Sequence, residues 1–322
     1  MSAEGAGARS ARRERRGVVA TLLGGTCWGI SGTMASLLFD SYGVGTMWLV
    51  AVRQLGAGVL FLVFDLLFER GRLVKLWTTP RHLGILFAFT FLGLLPNHYL
   101  YLLAVRLTNA GTATVLECLQ LLVILAFTCA RGRSAPRGRE VAGVVLALAG
   151  TWLIATGGSL TSLRISAAGL FAGLLCAASA ACISLIPAKI LPEYGSPAVT
   201  GSGMLLAGLV SGAFVRPWED VPELDATGAA ALLVFVAVGS FLAFLLYLQG
   251  VKDVGGMRAS LLGTVEPVVA TVTSALMLGT VFLATDIAGF ALVIAMVFLT
   301  ARREGGAGEG GSSAAGLRDG ED

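Results

Sequence analysis

Hydrophobic positions along the chain collect into long, nearly uninterrupted blocks, and polar positions are concentrated in the short stretches between them. The blocks are about 20 residues long, which is the length of an α-helix that crosses the roughly 30 Å hydrocarbon core of a bilayer. We therefore predict an all-α polytopic membrane protein with ten transmembrane helices. The predicted helices, of which the fifth and seventh are shorter, are 18–38, 44–67, 83–103, 111–130, 141–156, 167–187, 199–215, 229–249, 257–279 and 281–300.

The composition favours a membrane protein over a soluble one. Hydrophobic residues make up 56% of the 322 residues and charged residues 13%, with a mean hydropathy of +0.82. An average soluble domain carries about 25% charged residues. Ten helices leave only short loops and two tails, so no separate water-soluble domain is expected.

The distribution of basic residues predicts how the helices are oriented. Clusters of Arg and Lys fall in the N-terminal tail and in the second and fourth loops between helices, whereas the odd-numbered loops hold few. Because basic loops stay in the cytoplasm, both termini are predicted to be cytoplasmic (N-in/C-in). The net charge of +3 then reflects topology. No nucleic-acid partner is expected, because aromatic residues are not interleaved with the basic clusters.

The two halves of the chain resemble each other. A shift of 146 residues places Tyr101 on Tyr247, and a shift of 152 residues places Tyr42 on Tyr194, with several small and apolar residues matching around each pair. Each half holds five predicted helices. Because five is an odd number, the second half must enter the membrane in the opposite orientation, which predicts two inverted five-helix repeats, an architecture typical of secondary transporters.

These patterns divide the chain into five segments. They are a basic cytoplasmic tail at 1–17, a first repeat at 18–156, a linker at 157–165, a second repeat at 166–301, and a tail at 302–322. The last segment is rich in Gly and Ser and is predicted to be a disordered cytoplasmic tail.

Several motifs resemble the EamA family of the drug/metabolite transporter superfamily over about residues 17 to 300. They are TCWGISGTMA in the first helix, WLVAVRQLGAG in the second, VRLTNAGTATVLECLQLLVILA in the fourth and VKDVGGMRASLLGTVEPVVATVTSALMLG in the ninth. The runs LTNAGTATVL and SLIPAKILPEYGS, with an Arg-Pro-Trp at Arg216, are similar to a bacterial group of carboxylate, amino acid and amine transporters. The chain departs from the family pattern at Leu121, where the first repeat usually has Pro.

This resemblance implies a multi-pass protein of the inner (cell) membrane that exports amino acids or related metabolites, coupled to protons or to an exchanged solute. Uptake of carboxylates or amines is the alternative direction, because direction depends on gradients and on the affinities of the two open states. A membrane sensor or scaffold without transport is a second alternative. The sequence leaves the substrate, the coupling ion and the oligomeric state open.

Glu266 and Pro267 stand together in the middle of the predicted ninth helix. An ionisable side chain at this depth is costly and by default marks a pathway, although a buried hydrogen bond to another helix is the alternative. The helical neighbours of Glu266 are small or weakly polar, so the carboxyl is expected to face protein or a water-filled cavity. Pro267 is expected to kink the helix, because proline lacks a backbone N–H and crowds the preceding turn.

Three further polar residues lie within predicted helices. Glu117 is in the fourth helix, one turn before Gln120, which the 146-residue shift places on Glu266. Glu117 either lines a cavity or forms an interhelical hydrogen bond. Arg53 is well inside the second helix, and its guanidinium could clamp Glu117, Glu266 or a substrate carboxylate; an architectural ion pair is favoured.

The third helix adds Pro96, which permits a local break, and the polar side chains of Asn97, His98 and Tyr101. His98 would titrate near neutrality if it were not simply a packing residue. Further candidates for the walls of a central cavity are Trp28 in the first helix and Tyr247 and Gln249 in the eighth.

Catalytic and cofactor motifs are not found. The chain has only two histidines, it lacks a Walker-type Gly-rich loop, and its five cysteines have no metal-ligand or redox spacing. We expect no enzyme activity, no metal site and no cofactor. The expected partners are a small-molecule substrate and the lipid bilayer, with coupled protons as one of the two alternatives for the driving force.

Overall fold

The computed structural model describes residues 3–69, 72–132, 138–160, 162–255, 259 and 262–301. In these ranges all regular secondary structure is helical. Seven helices are long and apolar enough to cross a membrane, and three shorter helices are also apolar. In chain order they are α1 Ala3–Tyr42, α2 Thr46–Phe68, α3 Pro80–Leu107, α4 Ala110–Gly132, α5 Gly138–Thr156, α6 Ala167–Lys189, α7 Ser196–Val215, α8 Ala226–Val254, α9 Val265–Leu278 and α10 Ala284–Ala301.

The observed helices differ in length from several predicted blocks. The first is much longer than its block, because α1 begins at Ala3, within the segment predicted as a basic tail. α3 and α8 also extend beyond their blocks at both ends. The seventh block, predicted to be short, forms a full helix of 20 residues that starts three residues earlier, at Ser196. The ninth block forms a regular helix only from Val265 onward, because the backbone makes a turn at Thr264. Part of the ninth block before this turn lies outside the described residues.

Each helix of one half packs against the other half in a reciprocal pattern. α2 packs against α7, α4 against α9, and α5 against α10. α1 lies across α8 and α9 of the second half, and α6 lies across α3 and α4 of the first half. The same set of partners is therefore used by both halves with their roles exchanged.

Repeat-equivalent helices run antiparallel to one another. Trp48, near the start of α2, donates its indole N–H to the carbonyl of Pro217, just after the end of α7, at 3.0 Å. Arg164, which follows α5, donates to Asp286 at the start of α10 at 2.7 Å. Gly111, at the start of α4, faces Thr271 in the middle of α9 and Phe282, which follows the end of α9.

The helix α1 approaches the second half more closely than a side chain would allow. A Cβ added to Gly29 would lie 2.7 Å from the carbonyl oxygen of Glu266, and one added to Gly24 would lie 2.9 Å from the carbonyl of Ala243. Backbone contacts at this distance require glycine. They place the middle of α1 directly against the segment that carries Glu266.

Two pairs of repeat-equivalent helices depart from regular α-helical geometry at equivalent positions in the two halves. α3 contains π-helical turns at Phe89–Leu94, and α8 contains them at Val234–Leu242. The 146-residue shift places the first stretch within the second. It also places Cys118, where α4 is broken by a turn, on Thr264, where the turn precedes α9.

Ionic contacts join the helices at the end of the bundle where α1 begins. Arg16 Nε lies 2.7 Å from Asp253 Oδ2 near the end of α8, and Arg13 Nε lies 3.4 Å from the same carboxylate. Lys75, in a short helix Arg72–Trp77, lies 3.0 Å from Glu193 between α6 and α7. The hydrogen bond from Lys75 holds the pKa of the Glu193 carboxyl below its ordinary value.

A different contact joins α1 and α8 at the opposite end of the bundle. The Tyr42 hydroxyl, at the end of α1, donates to Asp225, which also caps the start of α8 by accepting from the Gly228 N–H at 2.8 Å. The Tyr42 hydrogen bond holds the pKa of the Asp225 carboxyl below its ordinary value. Both ends of the bundle are therefore joined by polar contacts between the two halves.

Candidate functional site

The interrupted helices bring three charged side chains together in the interior. Arg53 from α2 lies within electrostatic range of Glu117 from α4 and of Glu266 from α9. The two carboxyl groups also interact electrostatically with each other. The structure thus assembles, from three separate helices, the charged residues that the sequence singled out.

Arg53 is buried, with 6% of its surface exposed. Its Nε donates to Ser240 Oγ at 2.8 Å, and its guanidinium lies 5.0 Å from the centre of the Phe235 ring. Both partners belong to the π-helical part of α8. Among the described residues Arg53 forms no ion pair within 4.0 Å, so it interacts with the carboxylates across a gap instead of forming the expected direct contact.

Glu117 is half-buried and is the last residue of the first helical segment of α4, Ala110–Glu117. Asn97 Nδ2, in α3, donates to Glu117 Oε1 at 2.9 Å. The same Asn97 amide lies 3.3 Å from the Cys176 carbonyl oxygen and Sγ atom in α6. Glu117 is therefore held by a side chain that is itself fixed against a third helix.

Glu266 is also half-buried, but its surroundings differ. It is the second residue of α9, directly after the turn at Thr264. Within the described part of the chain its carboxylate has no hydrogen-bond partner. The small residues predicted on its face include Ala270 and Ser274, and both are buried in the structure.

Two candidates from the third helix are buried beside the charged cluster. Tyr101 lies within electrostatic range of both carboxyl groups, and its hydroxyl is 3.1 Å from Thr114 Oγ1. His98 is 4% exposed, and its Nδ1 atom has no partner in the described structure. Pro96 lies within two residues of the end of the π-helical turns in α3.

Aromatic side chains lie close to Glu266. Trp28 of α1 makes ring contacts at 5.0 Å with Tyr247 and with Phe244 of α8, and Tyr247 lies within electrostatic range of Glu266. Gln120 is half-buried at the start of the second segment of α4.

Gln249 is not part of this group. Its side chain donates to Asp253 at 2.8 Å, near the end of α8. The structure therefore places the Gln249 side chain beside Asp253 and does not bring it together with the charged cluster. Gln249 follows Tyr247 by two residues, so the two side chains point to different faces of the helix. It precedes Asp253 by four residues, about one helical turn, so Gln249 and Asp253 share a face.

Two polar neighbours of the cluster have no signal in the sequence pattern. Ser240 is the hydrogen-bond partner of Arg53, and Cys176 is a partner of Asn97, although the five cysteines have no metal-ligand or redox spacing. Gln54 of α2 is also completely buried, and both its amide atoms lack partners among the described residues.

Comparison with known proteins agrees with this architecture. The model of the EamA-like transporter family matches residues 15–156 and 167–302. An "Uncharacterized inner membrane transporter YicL" from Salmonella typhimurium is 31% identical over 288 residues, which covers 88% of this chain and 95% of the relative. A solved structure described as "Crystal structure of protein" superposes with a TM-score of 0.63 at 19% identity, over 88% of this chain and 98% of that one, and so supports the fold. The chain therefore belongs to the EamA-like transporter family and is a multi-pass membrane transporter.

Proposed function

We propose that the chain is a secondary active transporter that exports small organic solutes, amino acids or related metabolites, by alternating access. The proposed topology is ten spans in two inverted five-helix repeats, with both termini in the cytoplasm. The antiparallel course of the repeat-equivalent helices supports this topology. Two similar halves that face opposite ways can exchange conformations, which converts an inward-open shape into an outward-open one.

The proposed substrate site is the charged cluster of Arg53, Glu117 and Glu266 with its aromatic border. A carboxylate on the substrate would find the Arg53 guanidinium, and an ammonium group would find a carboxylate and the ring faces of Trp28 and Tyr247. Amino acids and related zwitterions carry both groups. Proton coupling or exchange with a second solute would supply the driving force.

The proposal rests on the surroundings of the Glu266 carboxylate. This half-buried carboxylate has no hydrogen-bond partner in the described structure, lies beside a helix break, and interacts electrostatically with Arg53. A carboxyl held by the fold would have donors around it, as Glu117 does. We propose that Glu266 binds either the proton or the substrate ammonium group during each cycle.

The test is transport by purified protein in liposomes. The lumen or the outside is loaded with a labelled pool of amino acids and organic acids, and a pH difference of one unit is applied. One proton exchanged per solute would give about tenfold accumulation, since one pH unit corresponds to about 1.4 kcal/mol. Wild type is compared with Glu266→Gln, and Glu223→Gln, an exposed loop carboxylate, is the matched control.

We expect Glu223→Gln to behave like wild type and Glu266→Gln to lose gradient-driven accumulation while retaining solute exchange. Equal accumulation by Glu266→Gln would assign Glu266 a structural role. Accumulation only in the uptake direction would overturn the export proposal. If wild type moves no solute in the pool, the proposed substrate class is wrong.

A further inference from the structure

A groove lies between α1 and α8 on the outer surface of the bundle, at the end where α1 begins. It has a volume of about 560 Å³. Its lining comes from two helices only: Arg12, Arg15, Arg16, Val19, Ala20 and Leu23 of α1, and Leu246 and Gln249 of α8. The groove is separate from the charged cluster in the interior and has no part in the transport mechanism proposed above.

The basic residues of the groove are not equivalent. Arg16 donates to both oxygens of Asp253, at 2.7 and 2.9 Å, and so fixes α1 to α8. Arg12 and Arg15 are exposed, and neither has a hydrogen bond or ion pair to another described residue. Their spacing of three residues places them on the same face of α1. The guanidinium groups of Arg12 and Arg15 are therefore neighbours, and both are unpaired among the described residues, at the end of the groove nearest the start of α1.

The apolar part of the groove continues along the same helix face. Val19 and Leu23 follow Arg15 at intervals of four residues, and they are 48% and 49% exposed. At a rise of 1.5 Å per residue, Leu23 lies about 12 Å below Arg15. Leu246 of α8 completes this part. The groove is thus cationic at one end and apolar below, in the direction that enters the membrane.

We propose that this groove binds one anionic phospholipid, with its phosphate between Arg12 and Arg15 and an acyl chain along Val19, Leu23 and Leu246. The cationic end of the groove would hold the lipid headgroup, and the apolar part, which extends toward the membrane interior, would hold an acyl chain. Basic pockets beside membrane helices attract anionic lipid headgroups, and a soluble phosphate compound would leave the apolar part exposed. The inference does not depend on the transported substrate.

The second half of the chain provides an internal comparison. The 152-residue shift places Arg15 on Ala167, at the start of α6, and Val19 on Phe171. The same shift places Arg12 on Arg164, but Arg164 is paired with Asp286 at 2.7 Å. Phe171 is 63% exposed, so this face of α6 offers apolar surface without an unpaired basic edge. We expect the α6 face to contact lipid chains without preference for the headgroup.

The experiment measures lipid retained by the detergent-purified full-length protein in native mass spectrometry. Phosphatidylglycerol and phosphatidylcholine with the same acyl chains are titrated against wild type and against Arg12→Gln/Arg15→Gln. The matched control is Arg131→Gln/Arg139→Gln, which removes two charges from the other basic segment and changes exposed side chains only. Folding of each variant is checked by its thermal transition, and inorganic phosphate is added as a competitor.

We expect wild type and the Arg131/Arg139 control to retain one phosphatidylglycerol in preference to phosphatidylcholine. In Arg12→Gln/Arg15→Gln the affinity for phosphatidylglycerol should fall about 30-fold, since each basic side chain near an anionic surface contributes about fivefold. Millimolar phosphate should not release the lipid. Unchanged affinity in the Arg12/Arg15 variant, equal retention of phosphatidylcholine by wild type, an equal loss in the control variant, or release by phosphate would each overturn the proposal.

Discussion

Glu117 and Glu266 are the acidic residues of the central cluster, one from each half of the chain, and they lie on opposite sides of equivalent helix breaks. Glu117 is the last residue before the turn at Cys118, and Glu266 is the second residue of the helix after Thr264. The backbone is therefore repeated, whereas the acidic side chain is not at the repeated position. The residue that does correspond to Glu266 in the first half is Gln120.

Their hydrogen bonding also differs. Glu117 accepts from Asn97, which is itself fixed against α6, whereas Glu266 has no hydrogen-bond partner in the described residues. The position equivalent to Asn97 in the second half is Ala243, which offers no donor. One carboxylate is held by the protein and the other is left available. A nearly symmetric backbone thus carries an asymmetric set of acidic side chains.

The largest effect is expected from removing the cation that the two carboxylates share. In Arg53→Gln both acids lose their positive neighbour, and Ser240 loses its charged donor. We expect at least a tenfold loss of transport and a free energy of unfolding lower by about 3 kcal/mol, the order found when one partner of a buried charged set is removed. Flux in liposomes and thermal denaturation in detergent measure the two quantities. Arg131→Gln, an exposed position near the end of α4, is the control.

A wild-type rate in Arg53→Gln would show that neither carboxylate depends on this charge. Arg53→Lys separates charge from geometry, because lysine keeps the positive charge but lacks the planar guanidinium that reaches Ser240. We expect it to recover most of the stability and only part of the transport.

A smaller effect is expected from making Glu117 resemble Glu266. Asn97→Ala removes the donor to Glu117, and a hydrogen bond to a charged group contributes about 2 kcal/mol. A double-mutant cycle with Glu117→Gln isolates this contribution from the loss of the Asn97 contacts to Cys176. Thermal stability should show a coupling of about this size between the two substitutions. Strictly additive losses would mean that Asn97 does not hold Glu117.

The sequence predicted the parts of this site that follow from composition and repetition. Apolar blocks located the helices, and charged residues within those blocks identified Arg53, Glu117 and Glu266, because such residues are rare where no water is present. The 146-residue shift also anticipated that α3 and α8 are equivalent. These inferences depend on local pattern only, so they do not need the tertiary structure.

The contacts between helices could not be predicted in the same way. The π-helical turns in α3 and α8 alter the register of the helix face without a signal in hydrophobic periodicity, and in α8 they bring Ser240 to Arg53. Gln249 and Tyr247 were both predicted as walls of the central cavity, but the helix register turns the Gln249 side chain to Asp253. Proximity in sequence does not determine which face of a helix a side chain occupies.

The smallest effect is expected from removing the hydroxyl group of each of the two repeat-equivalent tyrosines. Tyr101 and Tyr247 are related by the repeat, but the Tyr101 hydroxyl is 3.1 Å from Thr114, and the Tyr247 hydroxyl has no hydrogen bond in the described structure. Tyr101→Phe should lower the free energy of unfolding by about 1 kcal/mol, the net value of a neutral hydrogen bond, and Tyr247→Phe by less. Thermal denaturation of the two variants side by side measures the difference, and both keep the aromatic ring and its packing. Because the backbone positions are equivalent, a larger loss for Tyr101→Phe comes from the hydroxyl contact in the first half alone. Equal losses would instead mean that both hydroxyls contribute to the same extent and that the polar groups around the two carboxylates are as symmetric as the backbone.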